Sequence, residues 1–422
     1  MTKRTVFMLL LSIGLILGLS SAAYASDWTS FQKNNYNNGV VDGVAPSTSS
    51  FTPVWNHTIS GSGWVGWDGA PIIANGTVYD IYFNGYVYAY DLTTGTNVWT
   101  NSAVGGGSGS FELSTAAYDT VNDRLFVALS NGNSSTSTSV HAINGITGAT
   151  VWSNTSLSNF PANHQFNSGI KYDDGKVYVA NCVVSGSTTT TGNLTCLDAS
   201  TGVVEWNYHN SAAGFYWATP AIIGDYVVIG CDDGYVRSFN KATGALVEGV
   251  NAGDGSIRGG ITYDGSGYIY FTTTGGSVFK YSFNSATGDI GNTATAYDDH
   301  GTRMTTTPTV AGNFVYVTDD SAVIHCYYKS TMSQRSSIDL TSTWGGIKAS
   351  PVVYDAADGY DYVYVTVNAP TAPASCVYFD SNGRNPDVAG TFGPAGYTLQ
   401  GVAIVDGYIV FGNDVKYIGC FN

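Results

Sequence analysis

One phrase recurs along the chain and limits what it can fold into. An Asp or Asn precedes a Thr-Gly pair, and a Trp stands four residues after the Gly. It reads Asp91-Leu-Thr-Thr-Gly95-Thr-Asn-Val-Trp99, Asn144-Gly-Ile-Thr-Gly148-Ala-Thr-Val-Trp152 and Asp198-Ala-Ser-Thr-Gly202-Val-Val-Glu-Trp206. Asn240-Lys-Ala-Thr-Gly244 and Asn284-Ser-Ala-Thr-Gly288 keep the turn without the Trp, and Asp380-Ser-Asn-Gly383 is a fainter copy. The Asp or Asn side chain accepts hydrogen bonds from backbone N–H groups two residues on, and Gly supplies the positive φ of a tight turn. The phrase predicts a turn between two strands, with the Trp on the second, able to cover the edge of a neighbour.

Two further phrases precede each copy. Gly76-Thr-Val-Tyr79, Gly175-Lys-Val-Tyr178, Asp225-Tyr-Val-Val228, Gly267-Tyr-Ile-Tyr270, Asn313-Phe-Val-Tyr316, Asp361-Tyr-Val-Tyr364 and Gly407-Tyr-Ile-Val410 are short strands of β-branched and aromatic residues. Before them stand small residues with Pro, as in Gly69-Ala-Pro71, Ala218-Thr-Pro220, Thr306-Thr-Pro308 and Ala349-Ser-Pro351, where Pro removes no needed ladder bond. Each unit is therefore a four-strand meander. Units begin near Trp67, Phe111, Phe166, Trp217, Arg258, Thr305, Lys348 and Thr398, a spacing of about 40–55 residues that matches a propeller blade. The last unit stops after its third strand at Phe421, and an orphan Trp strand, Thr52-Pro-Val-Trp55-Asn-His, stands near the other end. The expectation is an all-β, eight-bladed β-propeller of four-stranded antiparallel blades, the last blade closed by the N-terminal strand over residues 52–58.

Composition supports a packed chain and narrows its chemistry. Only 11% of the 422 residues are charged, 43% are hydrophobic, and there are 52 Gly, 30 Tyr and 9 Trp, so apolar burial can offset chain entropy. A net charge of −15 argues against nucleic acid, which needs a basic face. Lys3 and Arg4, the apolar run Val6 to Leu19 and Ala23-Tyr24-Ala25 read as a signal peptide over 1–25. Its removal would leave one domain, 26–422, with net charge −17 and no second apolar stretch of membrane-spanning length. Export gives meaning to the glycosylation sequons at Asn56, Asn75, Asn133, Asn154 and Asn193.

The Val-Tyr strand followed by Asp-x-x-Thr-Gly-x-x-x-Trp resembles the PQQ-type propeller repeat. The opening Asp27-Trp28-Thr-Ser-Phe31 with Asn37-Asn-Gly39 is similar to the opening of many such propellers. The resemblance implies this fold over nearly the whole of 26–422. It leaves function open, because the repeat serves quinoprotein dehydrogenases, the propeller lipoprotein of the outer-membrane barrel-assembly machine and other surface proteins. The dehydrogenases of the family hold their quinone beneath a disulfide of two adjacent cysteines, with a calcium ion beside an Asp base. Here Cys182, Cys196, Cys231, Cys326, Cys376 and Cys420 are all separated, and no haem motif occurs.

Repeat register places Ala89, Ala142, Cys196, Ser238, Ser282, Cys326 and Cys420 in one column of small residues, so these thiols read as buried packing groups. Cys182 and Cys231 lie near the ends of adjacent second strands, where at most one disulfide is expected. The doublets Asp173-Asp174, Asp232-Asp233, Asp298-Asp299 and Asp319-Asp320 lack calcium-loop spacing and read as solvated turns. The histidines lack zinc spacing.

The remaining candidate is the mouth of the ring. Loops leading into the innermost strands carry Trp64, Trp67, Phe111, Tyr216, Trp217 and Trp344, with Arg258, Arg303 and Lys348 in similar places. Converging on the axis, such rings could stack on a sugar, a quinone or a peptide, and the cations would favour an anionic group; the alternative is packing between blades. The sequence therefore points to an exported, non-catalytic module. It would have no cofactor and no metal, and would bind envelope or surface proteins or glycans outside the cell or in the periplasm. A quinone-dependent dehydrogenase and an envelope assembly factor are the rival readings.

Overall fold

The computed structural model describes residues 27–46, 51–60, 66–67, 69–104, 114–130, 139–155, 164–340, 346–356, 358–368, 374–380, 382–399 and 401–422. Among these residues there is no α-helix, and the strands form eight antiparallel sheets, seven of four strands and one of five. The sheets are the blades of a propeller. Their innermost strands are Ile72–Ala74, Ala117–Asp119, Lys171–Asp173, Ala221–Ile223, Thr262–Tyr263, Thr309–Ala311, Val352–Asp355 and Ala403–Val405, which number blades 1 to 8. Blade 8 takes its fourth strand from the other end of the chain. Pro53–Thr58 pairs with Tyr417–Phe421, with Trp55 opposite Cys420 and Thr58 opposite Tyr417. The ring is closed at the expected seam.

The turn phrase behaves as its chemistry requires. Asp91 Oδ1 accepts from the N–H groups of Thr93 (3.0 Å) and Thr94 (2.8 Å), Asn144 Oδ1 from Ile146 and Thr147, and Asp198 Oδ1 from Ser200 and Thr201. Gly95, Gly148 and Gly202 have φ of +69°, +72° and +73°.

The Trp of each phrase acts on the next blade. Trp55, Trp99, Trp152 and Trp206 donate their indole N–H to the carbonyls of Leu92, Gly145, Ala199 and Lys241, at 2.7, 2.7, 2.9 and 2.9 Å. Each acceptor lies three residues before the turn glycine of the following blade. That glycine has a second duty: a Cβ on Gly95, Gly148, Gly202 or Gly244 would fall 2.4–2.7 Å from the docked indole. The blade-4 phrase therefore keeps Gly244 although it has no Trp of its own, because Trp206 docks there.

Blades 4 to 7 have no Trp at this place, and the seam between blades 5 and 6 departs furthest. Met332, with φ +57°, stands at the glycine position, and Ala296 stands opposite Lys280, where blades 1, 2, 3 and 8 place the Trp. Lys280 Nζ donates to Lys329 O at 2.8 Å, the carbonyl an indole takes elsewhere. The register thus puts Lys280, not Ser282, opposite Tyr270 in the column expected to hold only small residues. The small Ala296 across it leaves room here for a long side chain. The other members behave as expected: Cys196, Cys326 and Cys420 are buried free thiols, as are Cys182 and Cys231, which are not joined.

Residues 27–46 line the axis, an arrangement absent from the sequence reading. The axial edges of innermost strands carry backbone groups that need partners, and this segment supplies them blade by blade. Trp28 exchanges hydrogen bonds with Ile73, and Thr29 O accepts from Tyr118 N. Asn35 O and Tyr36 O accept from Ile222 N and Tyr263 N. Asn38 pairs its side-chain amide with the backbone of Val310, Val41 N meets Val353 O, and Val44 O accepts from Gly407 N. Blade 3 contributes Lys171, fully buried, whose Nζ donates to Ser30 Oγ, Phe31 O and Asn34 O at 2.9, 2.8 and 2.6 Å. The segment touches all eight blades.

Candidate functional site

What the segment leaves open is a small axial cup, lined by Phe31 and by loop residues of every blade, including Thr115, Asn167, Trp217, Thr305, Lys348 and Gly401. It encloses about 70 Å³. Trp217 is the aromatic from the expected mouth set that lines it. It is half-buried, lies against Tyr216 with ring centroids 4.6 Å apart and planes tilted by 46°, and has φ +56°. That conformation is unusual for a bulky residue and holds the ring at the mouth.

The other expected mouth residues divide. Trp67 is fully buried, packed between Tyr82 (5.0 Å) and Tyr88 (5.3 Å), so it belongs to the core. Trp64, Phe111 and Trp344 lie outside the described residues. Tyr216 lies beneath the Arg258 guanidinium, 4.6 Å from its carbon.

The mouth is less cationic than its sequence suggests. Arg258 makes a two-pronged pair with Asp232, Nε to Oδ1 at 2.8 Å and Nη2 to Oδ2 at 2.7 Å. Lys348 Nζ contacts Asp320 Oδ2, and Arg303 approaches the same carboxylate at 3.7 Å. Three acidic doublets are therefore ion-pairing sites rather than solvated turns, Asp173 pairing with Lys241 at 2.8 Å. Asp232 binds Arg258, and its neighbour Asp233 binds Arg237. Asp320 takes Lys348 and Arg303, and its neighbour Asp319 accepts from His325 at 3.1 Å. Burial alone would raise the Asp319 pKa, but hydrogen bonds from His325 and from the backbone of Val323 and Ser321 bring it below the usual carboxylate value. The sequence signal for the Asp232 and Asp320 pairs was the acid in each second turn with a cation about 26–28 residues on.

The sequons also divide. Asn56 and Asn75 are exposed. Asn154 donates to Gly202 O at 2.8 Å, bracing the next blade. Asn193 is fully buried, so a glycan there is incompatible with the fold. Asn133 lies outside the described residues.

Comparison with known proteins places this geometry in context. The family model described as outer membrane protein assembly factor BamB matches residues 136–247. A quinoprotein ethanol dehydrogenase of Pseudomonas putida is 33% identical over 90 residues, 21% of this chain and 14% of its own length. A polyvinylalcohol dehydrogenase of a Sphingopyxis species is 29% identical over 192 residues, 42% of this chain and 23% of its own. The matches thus span less than a quarter of these relatives. Among solved structures, BamB from Moraxella catarrhalis superposes with a TM-score of 0.64 at 15% identity, covering 88% of this chain and all of that one. Quinohemoprotein alcohol dehydrogenase from Comamonas testosteroni gives 0.67 at 12% identity, covering 95% and 81%. Both likenesses concern the fold.

The dehydrogenase relatives raise the question of a quinone with its calcium. Ligand pockets usually enclose roughly 300–1,000 Å³, several times the volume of this cup. Its lining carries hydroxyls, an amide and Lys348 but no carboxylate. Among the described residues, no group of three or more His, Cys, Asp or Glu side chains is disposed to hold a metal. The residues of the cup do not fit that cofactor. Among the described residues no helix is long and apolar enough to cross a membrane. The docked tryptophans, the turn phrase, the eight blades and these relatives together make the chain similar in fold and repeat to the PQQ-like β-propellers.

Proposed function

We propose that this protein is an exported, non-catalytic propeller that binds partner proteins in the envelope or at the cell surface. The observation that carries the reading is the filled axis. With residues 27–46 seated against all eight blades, the mouth side of the axis is reduced to the small cup, and a larger cavity of about 670 Å³ lies on the other side of the segment, against blades 2 to 4. Recognition then falls to exposed surfaces. The mouth is the favoured one: Trp217 is held there in a strained backbone conformation, beside Tyr216, the half-exposed Arg303 and the rim pairs at Asp232 and Asp320. A half-exposed indole beside paired charges suits a partner's loop or extended segment. The assembly-factor family that matches blades 2 to 4 supports a scaffolding role of this kind. Of the sequons, Asn56 and Asn75 are the described positions open to a glycan.

Two experiments test this reading. A photo-crosslinker at position 217 should give one discrete envelope-protein adduct in cells. The same group at Val121, an 85% exposed residue on the opposite face, should not. Dye-linked alcohol oxidation after addition of the quinone and Ca²⁺ should stay at background; sustained turnover would overturn the non-catalytic reading.

A further inference from the structure

The seam at which Lys280 takes the place of a docked tryptophan opens a groove of about 480 Å³ on the surface between blades 5 and 6, extending to Asn382 of blade 7. Its walls are Tyr268, Phe314 and Tyr328, its polar groups include Asn313 and Asn382, and its charges are Lys280 and Lys329. No carboxylate lines it. Asp264, which pairs with Lys329 at 3.1 Å, has a fully buried side chain occupied by Ser266, Tyr268 and Tyr270. The lining therefore carries an excess of positive charge in a chain of net charge −15. Where blades 8, 1, 2 and 3 send an indole to the next blade, Lys280 reaches through with its ammonium 4.1 Å from the Tyr268 ring, and only one of its N–H groups is spent on Lys329 O. Arg335 lies over Tyr328 at 5.3 Å and adds a further cation at the rim.

We propose that this groove binds an acidic sugar, a pyranose bearing a carboxylate. The aromatic walls stack on the C–H face of the ring, the amides of Asn313 and Asn382 meet its hydroxyls, and Lys280 with Lys329 takes the carboxylate. Aromatic faces with a few convergent polar groups are the usual make-up of such a site, and charge-assisted hydrogen bonds from lysine supply the preference for the acid. The groove lies on a blade seam away from the axial cup, so the inference stands apart from the partner-binding reading.

The test is calorimetric titration of the full chain with tri-galacturonate, its methyl ester and inorganic phosphate. Saturable binding of the acid at or below about 1 mM, at least tenfold weaker for the methyl ester and absent for phosphate, is the expected result. Lys329→Gln should weaken binding at least tenfold; because it also leaves the buried Asp264 carboxylate without its cation, circular dichroism at the titration temperature is used to show that the variant is folded. Lys280→Met should do the same, and its circular dichroism shows whether the seam still folds. Equal affinity for acid and ester, binding untouched by Lys329→Gln, phosphate binding as strong as the sugar's, or no saturable binding would each overturn the proposal.

Discussion

Adding one methyl group at Gly148 should cost much more than adding one at Gly175, although both glycines have nearly the same backbone conformation. Their φ values are +72° and +75°. A Cβ at position 175 would meet nothing within 4 Å, whereas at 148 it would lie 2.7, 2.8 and 2.9 Å from Cδ2, Cγ and Cε3 of Trp99. Gly175→Ala therefore carries only the left-handed backbone penalty, about 1–2 kcal/mol. Gly148→Ala carries that penalty and an overpacking cost of about 1–3 kcal/mol, since carbon atoms pack best about 3.5–4.0 Å apart. Its total is about 2–5 kcal/mol. Trp99→Ala costs about 3–5 kcal/mol alone but removes the clashing ring. In that background Gly148→Ala should fall back to about 1–2 kcal/mol, a coupling of about 1–3 kcal/mol. Urea unfolding of the four-member cycle, with Gly175→Ala as control, measures every quantity. Equal cost of Gly148→Ala with and without Trp99 would refute the idea that the turn glycine serves the preceding blade's indole.

Three further outcomes are expected. Burial raises the Asp361 pKa from 3.8 to about 6 despite the Tyr316 hydroxyl bonded to it. The folded state then holds a proton that the unfolded state releases. This contribution is complete below about pH 4 and is lost as pH rises through about 6, by up to about 2–3 kcal/mol. Asp361→Asn should gain that much on the wild type between pH 4 and pH 8 in paired melting curves, and a pH-independent difference would count against the assignment. Lys171→Met strands three buried acceptors on residues 30, 31 and 34, so it should cost about 3 kcal/mol or more and speed proteolytic release of the axial segment, read by mass spectrometry. Finally, Cys182, Cys196, Cys231, Cys326 and Cys420 should resist a thiol reagent until urea is added. All five are buried, and desolvation pushes the last four up to about 12; rapid native labelling would contradict their placement.

The features legible in the sequence are those whose chemistry is local. The Asp91, Asn144 and Asp198 turns need only a short acceptor and a glycine, and the Trp55 strand announced its role because blade 8 lacked one. Features that depend on a partner in another blade were hidden. Asp232 and Asp320 looked like hairpin acids because Arg258 and Lys348, which neutralise them, enter from the next blade. Trp67 looked like a mouth residue because its spacing matched Trp217, yet Tyr82 and Tyr88 enclose it. The axial segment was the largest omission. Its Asn37 was legible only as part of an opening shared with similar propellers, whereas its role needs two blades: Nδ2 reaches the carbonyls of Thr219, Pro220 and Ile261 once blades 4 and 5 stand side by side.

The seam between Pro53–Thr58 and Tyr417–Phe421 sets an order of events. The first strand synthesised waits for the last, and Gln32 likewise waits for the Pro351 carbonyl, 319 residues away. The first contact cannot form on a growing chain until residue 421 has been made, nor the second until residue 351 has. Blades can form one after another from short-range hairpins, but the ring stays an open arc until its final residues arrive. Contacts so remote in sequence are slow to find. Completion should thus be a late, single event in which the closing strand and the axial segment settle together. The same join is where the ring would first come apart under a pull applied to its two ends, and a load–extension trace should show the early loss of blade 8 before any other blade yields.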